Sequence, residues 1–168
     1  KNVPCHSLSG NGLTIAIGNN NQTQGLNITL GSDNVLSASQ STVIGFASSA
    51  KEGHSTTVIG RRSYSISRNN VVVGNLLSGG TTVSDAYFST IIGSSSRALG
   101  QFNTNIGVLN KTAEVGSVAI GYSASAEDQY SVALGSARAT EDFATAIGYL
   151  ASANSYASVT IGKEAKDC

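Results

Sequence analysis

The residues with the most chemistry in this 168-residue chain are two histidines, two cysteines and ten carboxylates. Their spacing puts little of that chemistry to use. His6 follows Cys5, which hints at a metal or thiol site, yet two ligands are too few for a structural zinc. His54 stands apart. Cys5 and Cys168 lie near the two ends, a spacing that makes neither a metal site nor a redox motif. No nucleophile has a base at a readable distance, so the expectation is no enzyme, no catalytic residues, no metal and no cofactor. Glu127, Asp128, Glu141 and Asp142 recur at one turn, where they are read as a solvated acidic turn, with a bound cation as the alternative. Lys51, Arg61, Arg62 and Arg68, with Tyr64 among them, form the basic cluster and the candidate ligand-binding patch for an acidic partner. A merely solvated turn is the plain alternative. Phe88, Phe102, Tyr130 and Phe143, with Tyr156 one step off, recur as rings that could cover an edge or serve as an adhesive stripe.

The composition narrows the field. Ten basic and ten acidic residues cancel, which leaves no nucleic-acid footprint. Charged residues make up 12% of the chain, with 19 Gly, one Pro and no Met or Trp. A disordered chain would carry more charge and less Ile and Val, so the expectation is an ordered β protein rich in tight turns. No apolar run approaches the roughly 18 residues of a membrane span. Lys1 leads into polar sequence rather than a signal peptide.

The elements that must position these residues follow from a repeat. An aliphatic residue followed by Gly recurs eleven times, at Gly18, Gly31, Gly45, Gly60, Gly74, Gly93, Gly107, Gly121, Gly135, Gly148 and Gly162. The spacings are 13, 14, 15, 14, 19, 14, 14, 14, 13 and 14. The residue before each Gly is Ile, Leu or Val, and the residue three before it is β-branched, from Ile15 and Ile17 to Val159 and Ile161. In a strand those two positions share a face, and this face is expected to pack into the coil. Small residues alternate after the Gly, as at Ala124 and Ala126, so a second short strand completes each coil. The spacing predicts about eleven stacked parallel coils of about fourteen residues, a rod of about 50 Å. Residues 1–12 are expected to form a leader or cap, residues 13–168 the β-roll repeats, and residues 76–87 an inserted surface loop around Gly79-Gly80.

Two further ranks come from the alignment. Four before the Gly stands Ser, Thr or Asn in ten of eleven coils, Ala144 being the exception. Stacked in register, these could form a side-chain hydrogen-bond ladder, although turns favour the same residues. Two before the Gly the chain reads Ala16, Thr29, Val43, Val58, Val72, Ile91, Asn105, Ala119, Ala133, Ala146 and Thr160, with no charge. Read as the outward face, this rank is the expected trimer interface, buried in a parallel bundle of identical rods. A core fed from both faces is the alternative.

The pattern Ser117-Val118-Ala119-Ile120-Gly121, followed by paired small residues at a period of fourteen, resembles the YadA-like head of trimeric autotransporter adhesins over roughly Leu13 to Lys166. The resemblance implies an all-β, left-handed parallel β-roll, with three chains side by side as a homotrimer. It also implies a cell-surface adhesin, anchored through a C-terminal region outside this sequence, that binds an extracellular-matrix protein such as collagen or another surface ligand, or that self-associates. No nucleic acid and no membrane contact within these residues are expected. A structural or ice-binding β-solenoid is the runner-up, although threonine ranks suited to ice are sparse at the position read as exposed.

Three Asn-x-Thr sequons, at Asn21, Asn27 and Asn110, are read as chance products of Asn-rich turns. Cys5 and Cys168 of one chain are expected not to be bonded to each other, because ten coil steps separate them by about 48 Å and a disulfide needs Cα atoms within about 7 Å.

Overall fold

A computed structural model describes residues 14–23, 25–51, 54–75, 82–84 and 87–167. The expected leader, both cysteines, His6 and most of the expected insertion lie outside the described residues. All the described elements are strands, and each pairs in parallel with its counterpart in the next coil. First strands such as Thr104–Val108 and Val118–Tyr122 stack into one wall. Second strands such as Arg97–Ala98, Lys111–Thr112 and Ser125–Ala126 stack into the other. The chain is a parallel β-roll.

Register runs glycine on glycine, through Gly93↔Gly107, Gly107↔Gly121 and Gly121↔Gly135. The reason is contact. Gly121 has φ +140, and a Cβ there would drive into the carbonyl oxygen of Gly135 in the next coil. A side chain is excluded by both space and conformation. The coil with 19 residues keeps the same register, because Val71 still pairs with Thr90 and Gly74 with Gly93. Its second strand, Thr82–Ser84, bridges Ser63–Ser65 below and Arg97–Ala98 above.

Each coil turns through residues in the left-handed region. Gln40, Ser55, Asn69, Phe88, Phe102, Tyr130 and Phe143 have φ between 53 and 59 at the corner before a first strand. Ala47, Arg62, Ser95, Leu109, Ser123 and Leu150 have φ between 51 and 59 at the corner after it. Non-glycine residues in that region cost about 1–3 kcal/mol each. The stacked neighbours hold them there: the Phe102 N–H donates to the Tyr87 carbonyl at 2.9 Å, and the Tyr130 N–H to that of Val115 at 2.8 Å.

The interior corrects the facing read from sequence. Ala16, Thr29, Val43, Val58, Val72, Ile91, Asn105, Ala119, Ala133, Ala146 and Thr160 are 0–6% exposed within a single chain. They are the core of the roll and cannot form a seam between rods. Ala119, Ala133 and Ala146 pack against Ala124, Ala126, Ala137, Ala139, Ala151 and Ala153 of the second wall. The larger residues on either side point outward: Ile17 is 47% exposed, Ile92 42% and Ile120 37%. Width explains the reversal. Two walls this close leave room mainly for small side chains, and the positions two and four before the Gly share one face, so both ranks turn inward.

The rank four before the Gly is the expected ladder. The Ser41 backbone N–H donates to Asn27 Oδ1 at 2.8 Å, that of Thr56 to Ser41 Oγ at 3.0 Å, and that of Ser89 to Asn70 Oδ1 at 2.9 Å. The same device continues at Asn103 and Ser117. A second ladder stands three after the Gly, through Asn21, Asn34, Ser48, Ser63, Ser96 and Asn110. There Asn34 Nδ2 donates to the Gly45 carbonyl at 2.8 Å, and Asn34 Oδ1 accepts from the Ser48 N–H at 3.0 Å.

Two substitutions test this interior in opposite directions. Asn110→Ala strands the Ala124 N–H, which donates to Asn110 Oδ1 at 2.9 Å, and should cost about 1–3 kcal/mol. Thr29→Val removes a buried hydroxyl without a partner and should stabilise by about 1 kcal/mol. Urea unfolding of both variants measures the shifts, and the opposite signs are the expected result.

Candidate functional site: the outer faces and corners of the roll

The outer face of the first wall is apolar. Ile28, Ile59, Val71, Ile92, Ile106 and Ile120 stand between 36% and 42% exposed along it, with Val159 and Ile161 more so at the last coil. A depression of about 440 Å³ opens there, lined by Ile59, Val73, Ile92, Val108 and the backbone of Gly60, Gly74, Gly93 and Gly107. Val73 stands where most coils carry Ile or Leu, and the smaller side chain leaves the hollow.

Both corners beside this wall carry rings. Phe88 and Phe102 stack with centroids 5.3 Å apart and planes 8° from parallel; Tyr130 and Phe143 stack at 5.4 Å and 14°. Tyr156 meets Phe143 edge-on at 5.8 Å. Gly116 takes the place of a ring between Phe102 and Tyr130, and a Cβ there would strike the Tyr130 ring. Phe46, Tyr122 and Tyr149 are exposed on the opposite corner. These apolar groups flank the apolar wall on both sides.

The outer face of the second wall is polar. Pairing places Tyr64, Val83, Arg97, Lys111, Ser125, Arg138 and Ser152 in one column, and a bridge continues it from Ser152 to Lys166. Four of the last six members are cations. This rank is not among the residues singled out from the sequence. Alignment on the Gly would have shown it, since Tyr64, Arg97, Lys111 and Lys166 each stand four after a Gly, and Arg138 three after its own.

The basic cluster read from sequence divides. Lys51 Nζ lies 5.5 Å from the Tyr64 ring centroid on the second wall, and the Arg61 guanidinium 5.9 Å from that of Phe46 at the corner after the first strand. Arg62 turns that corner with φ 53. Arg68 does not join them. Its carbonyl accepts from the Phe88 N–H at 3.1 Å, in the turn before a first strand, at the opposite corner of the roll. Residues within one coil seven apart in sequence have crossed the second wall.

Two carboxylates of the acidic turn share one backbone donor. Asp128 Oδ1 and Asp142 Oδ1 both accept from the Gln129 N–H, at 3.0 and 3.1 Å. No group of three or more His, Cys, Asp or Glu side chains suited to a metal ion occurs among the described residues. Glu127 turns toward the second wall, where Arg138 Nε and Nη2 donate to its two oxygens, each at 3.1 Å. The three sequons fall on the two ladders, Asn27 on the first and Asn21 and Asn110 on the second. Asn27 and Asn110 are buried, and Asn21 Nδ2 donates to the Gly31 carbonyl at 2.7 Å. Attaching a glycan to any of them would unpick a coil.

Partial burial works against the Glu127 carboxylate, but hydrogen bonds from Arg138 and Ser125, with the charges of Arg138 and Lys111, outweigh it and hold its pKa below the ordinary range. A depressed folded pKa gives stability that is present above the unfolded pKa and lost as pH falls through the folded one. Glu127 should therefore contribute fully at neutral pH and progressively less below about pH 4. The pair is solvent-screened, so the effect is small. Comparing the acid-limb melting profiles of the wild type and Glu127→Gln should show a shallower decline in the variant.

A family model described as the YadA head domain repeat matches in two copies, over residues 115–137 and 139–165. Comparison with curated proteins and with solved structures returns no match. Over those two stretches the chain is similar to the YadA head domain repeat.

Proposed function

We propose that the chain is the head of a trimeric surface adhesin: a rigid rod of three rolls that displays repeated contacts and performs no catalysis. The observation that carries this reading is the apolar outer face of the first wall. A rank of Ile and Val along a whole rod, with rings on both corners, is more apolar surface than a lone soluble chain exposes. The second wall is polar and suits water. An amphipathic roll of this kind is completed by identical copies meeting wall to wall around an axis. The seam is then formed by the residues one and three before the Gly, such as Ile92, Ile106 and Ile120. Ligands would meet the second wall and the corners, where Lys51, Arg61, Arg62 and Tyr64 lie, with Arg68 on a separate corner. An extracellular-matrix protein such as collagen is one partner this reading includes, and self-association is another. Three chains acting together raise the effective concentration of weak sites.

One observation favours a second reading. The outward rank three before the Gly holds Thr42, Thr57, Thr90, Thr104 and Thr145, so the corrected facing returns threonines to a flat face. An ice-binding or structural solenoid would use that face uncovered. A monomer with thermal hysteresis activity would select this reading over the adhesin.

The seam has a paired test. Ile120→Lys places a charge on the outer wall and should dissociate the trimer while the roll persists; Ala133→Lys buries a charge in the coil and should unfold it. Light scattering coupled to gel filtration, with circular dichroism, separates the two outcomes. A wild type that runs as a monomer, or an Ile120→Lys variant that stays trimeric with unchanged melting, removes the seam.

A further inference from the structure

We infer that the outer face of the second wall holds a binding strip for a linear sulfated polysaccharide, built from Lys51, Arg62, Arg97 and Lys111 around Tyr64. This assignment rests on the reading of the chain as a surface-displayed rod, and it names a ligand class for that rod.

The strip follows from register. Tyr64, Val83, Arg97 and Lys111 occupy one position in four successive coils. Lys51 belongs to the coil below, one residue beyond Ser49–Ala50, and its ammonium sits 5.5 Å from the Tyr64 ring centroid. Arg62 enters from the corner two residues before Tyr64. From the coil of Lys51 to that of Lys111 is four coil steps, about 19 Å. All four cations are exposed, and none makes an ion pair among the described residues, where the two ion pairs belong to Arg138 with Glu127 and Lys163 with Glu164. Glu127 closes the strip on the C-terminal side, held bidentately by Arg138.

The shape selects the ligand. The cations are spread along the second wall and its adjoining corner and occupy successive coils, so they suit separate anionic groups spaced along a polymer. The apolar depressions lined by Ile59 and Ile92, and by Ile15 and Ile28, lie on the first wall. A single-stranded nucleic acid would need free aromatic faces for its bases, and the Tyr64 ring already carries Lys51. Sulfate and carboxylate groups on a sugar backbone need only the cations and the hydroxyl donors between them.

The test uses the intact oligomeric head and size-defined heparin oligosaccharides across a sodium chloride series. Binding should weaken linearly in log affinity against log salt, as for counterion release. Arg97→Ala with Lys111→Ala should lower affinity about tenfold or more, which is about 1.4 kcal/mol, with unchanged melting. Lys163→Ala with Lys166→Ala removes the same charge at the last coil, where both lysines are exposed, and should change affinity less than about twofold, well under that interval. Equal losses in both double variants would mean that net charge alone is sensed, and would overturn the strip. Equal binding of desulfated heparin, or of a DNA oligonucleotide of matched length and salt, would overturn the choice of ligand. A trimer that adheres to cells yet ignores heparin sinks the strip and leaves the adhesin reading standing. A monomer that neither adheres nor binds heparin sinks both.

Discussion

The constraint on which everything else rests is that each coil of this roll satisfies its polar backbone only through the coils above and below it. Within a coil the two strands face each other across side chains and share few hydrogen bonds. Between coils, strand N–H and carbonyl groups pair in parallel, and the corners pair as well, as where the Arg62 N–H donates to the Phe46 carbonyl at 2.9 Å. The Asn and Ser ladders extend the same logic to side chains, with each oxygen accepting from the backbone of the next coil. Register is therefore set at many points in every coil. Glycine enforces it sterically, since no other residue fits beneath the neighbouring carbonyl at Gly121. A one-residue slip would break both ladders and drive side chains into backbone together.

The narrow interior then fixes the character of the two walls. A core of Ala, Val, Ser and Thr has small volume, and buried Asn105 even spends its Nδ2 on the Arg97 carbonyl at 3.0 Å. Such a core offers modest hydrophobic stabilisation for 168 residues. The larger Ile and Val side chains that would supply more stand outside, on the first wall. On the proposed reading, a second copy buries the apolar first wall and the polar second wall is left for ligands, so assembly and recognition use opposite faces of the same coil.

How much of this was legible in the sequence differed by feature. Coil number, parallel stacking, the glycine turn and the first ladder all follow from a strict period, because period-two alternation and a fixed repeat translate directly into position. The facing did not follow. Period two assigns residues to two faces but does not say which is inside, and the usual rule that larger apolar groups go inward fails when the coil is too thin to take them. The absence of charge at Ala119 and Ala133 suits a seam and an interior equally, and the buried Ser and Asn of the same parity decide for the interior. Arg68 was grouped with Arg61 and Arg62 by distance along the chain, although a coil reverses its edge within seven residues. The column of Arg97, Lys111, Arg138 and Lys166 was hidden by the same habit in reverse, since its members are far apart in sequence and adjacent only in space.

The coil of 19 residues between Gly74 and Gly93 shows what such an architecture permits over evolutionary time. Its neighbours meet in unchanged register on both walls, so the added length is absorbed between the walls' paired segments without disturbing the stack. Chain length between the paired strands can therefore change while the register on either side of it stays constant. Whole coils can be duplicated or lost with equally little disturbance, because each answers only to its immediate neighbours. Changes in coil content and in rod length are open to this scaffold as separate, nearly independent steps.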